Sequence, residues 1–170
     1  MAPPSPPPVE RAQRLALEHE RITRQLLFFA RSSFVLVGFM PWWLPLARAT
    51  LPLGPVGQVF DLLFVVLCHR LPERTIEIAG VAMPLCSRCA GIFTGLGLGA
   101  LIAWPRPTLR VTRYAVVVAG AIMLLDVIAQ DLGWHPLWHS TRLGTGILLG
   151  YVLSCALVAA IVRERRGEPR

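Results

Sequence analysis

The sequence predicts an all-α integral membrane protein of about four transmembrane helices, and three observations carry that expectation. The chain is 54% hydrophobic and only 16% charged, whereas a soluble domain is about 45–50% apolar and about 25% charged. It contains four apolar stretches close to the ~20 residues that a spanning helix needs. Its cations stand mostly at the ends of those stretches, where membrane proteins place them. The mean hydropathy of +0.56 agrees, and 170 residues make a single membrane domain the default. The net charge of +7 is not gathered into one patch, so the bilayer rather than nucleic acid is the expected partner. All 17 cations are Arg, a compositional bias without a functional reading.

The N-terminal region, residues 1–24, reads as a tail and a lead helix. Pro3, Pro4, Pro6, Pro7 and Pro8 favour a disordered or polyproline-like tail. The charged stretch to about Arg24 reads as a surface helix, with His19 on its surface. A secretory signal is not expected, since that needs a short basic stretch followed at once by an apolar one.

The membrane domain, residues 25–163, follows. The first span is Leu26–Leu46, with Arg31 near enough to the interface to snorkel and Trp42 and Trp43 placed for an aromatic belt. Leu85–Trp104, Tyr114–Leu132 and Leu143–Val162 are the second, third and fourth, and 164–170 is a tail. Val56–Leu67 is apolar too, but 12 residues reach about 18 Å against a core of about 30 Å. It reads as a short re-entrant or interfacial helix. Charge supports this independently: with four spans, the basic clusters before the first span, at Arg106, Arg110 and Arg113, and at Arg163, Arg165, Arg166 and Arg170 all fall inside. This places both termini in the cytoplasm and the chain in a bacterial inner membrane. Gly91, Gly95 and Gly99, and Gly146, Gly150 and Ser154, repeat at the small-residue spacing of close helix packing in lipid. They read as a bundle seam, and the same faces also offer a homodimer contact.

On this topology two connections face outward. The first runs from Cys68 to Cys89 through a short outer hairpin loop around Ala79-Gly80. The second runs from Gly133 to Arg142. Together they gather three of the four cysteines and three of the four histidines, although the topology used only span length and Arg. Cys86 and Cys89 form a C-x-x-C at a helix mouth, a spacing that suits either one metal ion or a redox-active disulfide. Cys68 and His69 upstream, with His135 or His139, complete a plausible zinc set. Three clustered cysteines leave one over in a simple disulfide scheme. Cys155, in the middle of the last span, reads as packing.

Asp126 is the sharpest single residue. It lies in an apolar span about 9 Å below its outer end, where a carboxylate needs a partner or a wet cavity. Gln130 shares its face one turn later. Two roles fit Asp126: a buried partner for an Arg, or a proton-handling group. Arg70, Arg74, Arg88 and Arg142 form an outer group suited to binding an anion or to neutralising nearby acids.

The motifs C-H-R-L-P-E-R from Cys68, C-S-R-C-A-G-I-F-T-G from Cys86, D-V-I-A-Q from Asp126 and R-L-G-T-G from Arg142 occur in that order. Together they resemble a family of bacterial and archaeal membrane proteins known as a domain of unknown function. The resemblance covers roughly Val56 to Tyr151. It departs from the family pattern at Thr75, where Ser is expected, at Phe93, where Tyr is commoner, and at His139, where Asn is expected. It implies a membrane protein with a polar site around these motifs, Thr145 included as polar support.

Three functions fit. In the first, Cys68, Cys86 and Cys89 with one His hold zinc, Asp126 handles protons, and Arg88 and Arg142 hold an anionic lipid or small anion for hydrolysis or group transfer. In the second, the cysteines exchange electrons with a quinone or a thiol partner. In the third, a structural metal or disulfide fixes the outer loop of a non-catalytic scaffold or subunit, and Asp126 pairs with Arg142. Whether the protein is an enzyme turns on which of these holds.

Overall fold

The long apolar runs are helical in the computed structural model of the chain, which describes residues 7–52, 54–69, 71–102 and 108–166. Five α-helices and one hairpin follow in order. They are α1 (Pro8–Thr50), α2 (Gly54–Val65), β1 (Thr75–Ile78), β2 (Val81–Cys86), α3 (Ser87–Ile102), α4 (Leu109–Asp131) and α5 (His139–Arg166). A single 3-10 turn, Pro72–Arg74, leads into β1.

Three helices, α1, α4 and α5, are long and apolar enough to cross a membrane. Their surfaces are lipid-like: only 11% of the most apolar stretch of α1 and of α4 is buried in the protein, and 22% of that of α5. A water-soluble fold does not leave so much contiguous apolar surface open.

The expected lead helix and first span form one unbroken helix of 43 residues, with Pro41 and Pro45 inside it. Trp42 points inward, its Nε1 donating to Thr94 Oγ1 at 2.7 Å, so it serves the bundle rather than a belt; Trp43 is exposed. Arg31 reaches across to the end of α3. Its Nε donates to Ala100 O at 2.8 Å and its Nη2 to Leu101 O at 3.5 Å, carbonyls of the last described turn of α3.

The helix α3 is shorter than the sequence suggests, because Leu85 and Cys86 belong to β2; Trp104 lies outside the described residues. At 16 residues it is about 24 Å long. It is also the inner helix, packed between α1 and α5, with α4 on the far side of α5. The small-residue stripes form that seam within one chain. A Cβ on Gly91 would collide with Leu143 O, and one on Gly99 would lie 2.6 Å from Ser154 Cβ.

The hairpin fits its expected place. Ile78 pairs with Val81 across a two-residue turn, with Ala79 at φ 54° and Gly80 at φ 76°, the signs of a type I′ turn. Glu77 faces Ala82 and Thr75 faces Cys86, so the register shifts between the two pairs. Pro84, which has no N–H to give a ladder, stands in that irregular stretch. Alternation is lost there, and Met83, Pro84, Leu85 and Cys86 are all buried. They join Leu44, Phe64, Cys68 and Ala90 in the core beneath the hairpin.

Candidate thiol and guanidinium site

Three elements each deliver one sulfur. Cys68 follows α2 by continuing its last turn, its N–H bonded to Phe64 O at 3.0 Å. Cys86 ends β2, and Cys89 lies in the first turn of α3. The three Sγ atoms all lie within 4.8 Å of one another, and all are free thiols. The Cys86 N–H points at Cys68 Sγ, 3.4 Å away. The Cys86 sulfur has donors of its own. A hydrogen bond from the Cys89 side chain, opposed by burial and helped by the Cys89 backbone, Cys68 and the Arg142 guanidinium, pulls its thiol from 9.0 down to about 4. A thiolate is the form that binds metal or attacks a disulfide.

Around a tetrahedral zinc with bonds of about 2.3 Å, neighbouring sulfurs stand about 3.8 Å apart, within what this cluster allows. The expected histidines are not part of the group. His69 lines the cavity beside the thiols. His135 stacks on Trp138, at 5.6 Å between ring centroids, with Nε2 3.7 Å from Asp126 Oδ1. His139 opens α5 and leaves a buried Nδ1 without a hydrogen-bond partner.

The arginines form a second layer. Arg88 Nη2 donates to Asp126 Oδ2 at 2.6 Å and to Gln130 Oε1 at 3.3 Å. Arg142 donates to the same Gln130 Oε1 at 2.7 Å through Nη1, and to Ser87 Oγ at 3.2 Å through Nε. Asp126 thus pairs with Arg88, and Gln130 links the two guanidinium groups. Both arginines are almost wholly buried, at 8% and 2% exposure. Arg74, at the rim, stands 4.0 Å from Glu73. Arg70 lies outside the described residues.

Thr145 is not part of this network: its hydroxyl bonds to Thr141 O at 3.1 Å and Arg142 O at 3.2 Å, within α5. Ser87 is, although only its place inside the C-x-x-C could have marked it. Thiols and arginines share a cavity of about 240 Å³. Its walls include Cys68, Cys86, Cys89, Arg74, Arg88 and Arg142, with Leu67, Leu71, Ile92 and Met123 as the apolar side.

Apolar helices with lipid-like surfaces, closed at one end by buried thiols and guanidinium groups, define a helical membrane protein with a polar terminal site. The chain belongs to the family described as "Predicted membrane protein (DUF2085)", whose model matches residues 68–156. The match opens at Cys68 and takes in every cavity-lining residue named above except Leu67. An uncharacterized protein of Methanothermobacter thermautotrophicus is 33% identical over 94 residues, covering 54% of this chain and 84% of that protein. Uncharacterized protein MJ1492 of Methanocaldococcus jannaschii is 27% identical over 97 residues, 53% of this chain and 60% of its own length. No solved structure matches the chain.

Proposed function

We propose that this protein holds one zinc ion on Cys68, Cys86 and Cys89 at the extracytoplasmic face of the inner membrane. In this reading α1, α3, α4 and α5 cross the bilayer, α2 is re-entrant or interfacial, and both termini are cytoplasmic. The observation that carries it is the convergence of three free thiols within 4.8 Å from three separate elements. Three protein ligands leave a fourth position open, as catalytic zinc sites do, and the adjoining cavity gives that position room. His69 is the histidine on the cavity wall and is the protein ligand available to close it. A zinc ion supplies Lewis acidity there.

Asp126, the sequence's candidate proton acceptor, is here a positioning residue. Its carboxylate holds Arg88, and Gln130 carries that order to Arg142. Arg142 in turn lies beside Cys86 and offsets the negative charge of a zinc held by three thiolates.

A second reading rests on the same cluster. Two of its thiols lie close enough to join after modest side-chain movement, giving a disulfide and passing two electrons and two protons to a quinone to form quinol. Metal content and free-thiol count on detergent-purified protein, prepared without reductant or chelator, separate the two. About one zinc per chain, lost in Cys68→Ser and Cys89→Ser, supports the metal reading. No metal, with two thiols recovered only on reduction, overturns it in favour of the redox reading.

A further inference from the structure

The cavity beside the thiols has more cationic character than its own acids answer. Arg74, Arg88 and Arg142 line it together. Asp126 answers Arg88, and Glu73 stands at the 4.0 Å limit from Arg74, on a side chain that is 60% exposed. A zinc ion held by three thiolates would add one negative charge. Three guanidinium groups against Asp126 and that centre leave one positive charge, answered only from outside the cavity lining by the exposed Glu73 at 4.0 Å, and such a surplus attracts an anion.

Two donors make no hydrogen bond, and only Arg74 Nε has an acid near it, Glu73 at 4.0 Å. Arg88 Nε and Arg74 Nε are buried with no hydrogen bond, and Arg88 is 8% exposed. Buried guanidinium N–H groups are costly to leave unpaired, and they fit the oxygens of a tetrahedral phosphate. Arg88 is pre-oriented by Asp126 and Gln130, and Arg142 by Ser87 and Gln130. The site therefore meets an anion with little side-chain ordering left to do.

The rest of the lining has another chemistry. Leu67, Leu71, Ile92 and Met123 are apolar, and Leu67 and Leu71 remain 60% and 42% exposed. A small hydrated anion gains nothing from such a rim. At about 240 Å³ the cavity holds a headgroup but not an acyl chain, which must leave over the leucines.

We propose that this cavity binds the phosphate head of an anionic amphiphile, with Arg74, Arg88 and Arg142 on the phosphate and the chain running out over Leu67 and Leu71. The proposal deepens the metal reading, because it places the phosphate beside the open ligand position and rests on the same membrane-interface site. The phosphate chemistry is common to a lipid head and to free phosphate, and the apolar rim selects the former.

The test titrates dodecyl phosphate and inorganic phosphate into the zinc-loaded full chain in a neutral detergent, followed by calorimetry and thermal shift, with zinc counted in every sample. Dodecyl phosphate is expected to bind at least about tenfold more tightly than inorganic phosphate. Arg74→Gln, at the partly exposed rim and outside the Asp126 network, is expected to weaken it at least about tenfold, and Met123→Trp, which fills the cavity, to abolish it. Equal binding of the two phosphates overturns the amphiphile assignment. Binding unchanged by both variants, or no binding at one zinc per chain, overturns the site while the metal reading stands. A chain that takes up no zinc yet binds dodecyl phosphate overturns the metal reading instead and leaves the phosphate site in place.

Discussion

Arg88 and Asp126 meet at 2.6 Å with only 10% and 9% of their side chains exposed, one on α3 and the other on α4. The helix α4 packs along α5, so this ion pair is a direct tie from α4 to the inner helix. Removing one partner leaves a buried charge without an answer, and that costs about 3–5 kcal/mol. Asp126→Ala is expected to lower the thermal midpoint in detergent accordingly. The double variant Arg88→Met/Asp126→Leu removes both charges and is expected to recover most of the loss. A double variant as unstable as Asp126→Ala would show that the pair holds more than its own charges.

Ser87 and Thr145 make a sharper contrast. Ser87 is fully buried and accepts from Arg142 Nε, so Ser87→Ala strands a buried donor at a cost of about 1–3 kcal/mol. Thr145 bonds only to carbonyls of its own helix, so Thr145→Val is expected to change stability by less than about 1 kcal/mol. Thermal midpoints of the two variants, measured side by side, check the ranking. The reverse order would put Thr145 back in the site.

The seam between α3 and α5 predicts which glycines tolerate a methyl group. A Cβ on Gly95 would lie 2.7 Å from Tyr151 N and 2.9 Å from Gly150 Cα. Gly95→Ala is therefore expected to force the helices apart, at about 1–3 kcal/mol. Gly120, on α4, has nothing within 4 Å of the same position. Gly120→Ala is expected to be neutral or to stabilise by up to about 1 kcal/mol through helix propensity. Equal losses at both positions would refute the seam.

Ala79 holds φ 54° without being glycine, a conformation that costs an ordinary residue about 1–2 kcal/mol. Asparagine accepts it more readily in a type I′ turn. Ala79→Asn is expected to raise the thermal midpoint and to slow labelling of Cys86, which the hairpin carries. Faster labelling with unchanged stability would mean that the turn does not govern access to the thiols.

The hairpin was legible because Ala-Gly between two short β-prone runs is a local signal. The approach of Cys68, Cys86 and Cys89 was legible because the three stand at the two ends of one short connection. The pairing inside the site was less so. Asp126 was a visible anomaly in an apolar run, but choosing Arg88 over Arg142 as its partner depends on how α4 is set against α3. No spacing along the chain encodes that rotation. The partners of Trp42 and Arg31 were hidden for the same reason. Each sits where isolated helices place belt and snorkelling residues, and each found a partner on α3, Thr94 for one and the carbonyls of Ala100 and Leu101 for the other. Ser87, small and flanked by louder residues, gave almost no signal.

Helix α1 has a consequence of a mechanical kind. Its 43 residues amount to about 64 Å of rod, while a hydrocarbon core takes up only about 30 Å. More than half of its length therefore lies beyond the apolar slab and is joined to it without a break. Where such a rod is gripped by lipid and by α3, it acts as a lever. A 10° change of tilt sweeps an end about 27 Å away through about 5 Å. The far end of α1 thus moves farther than any point of the helix inside the slab.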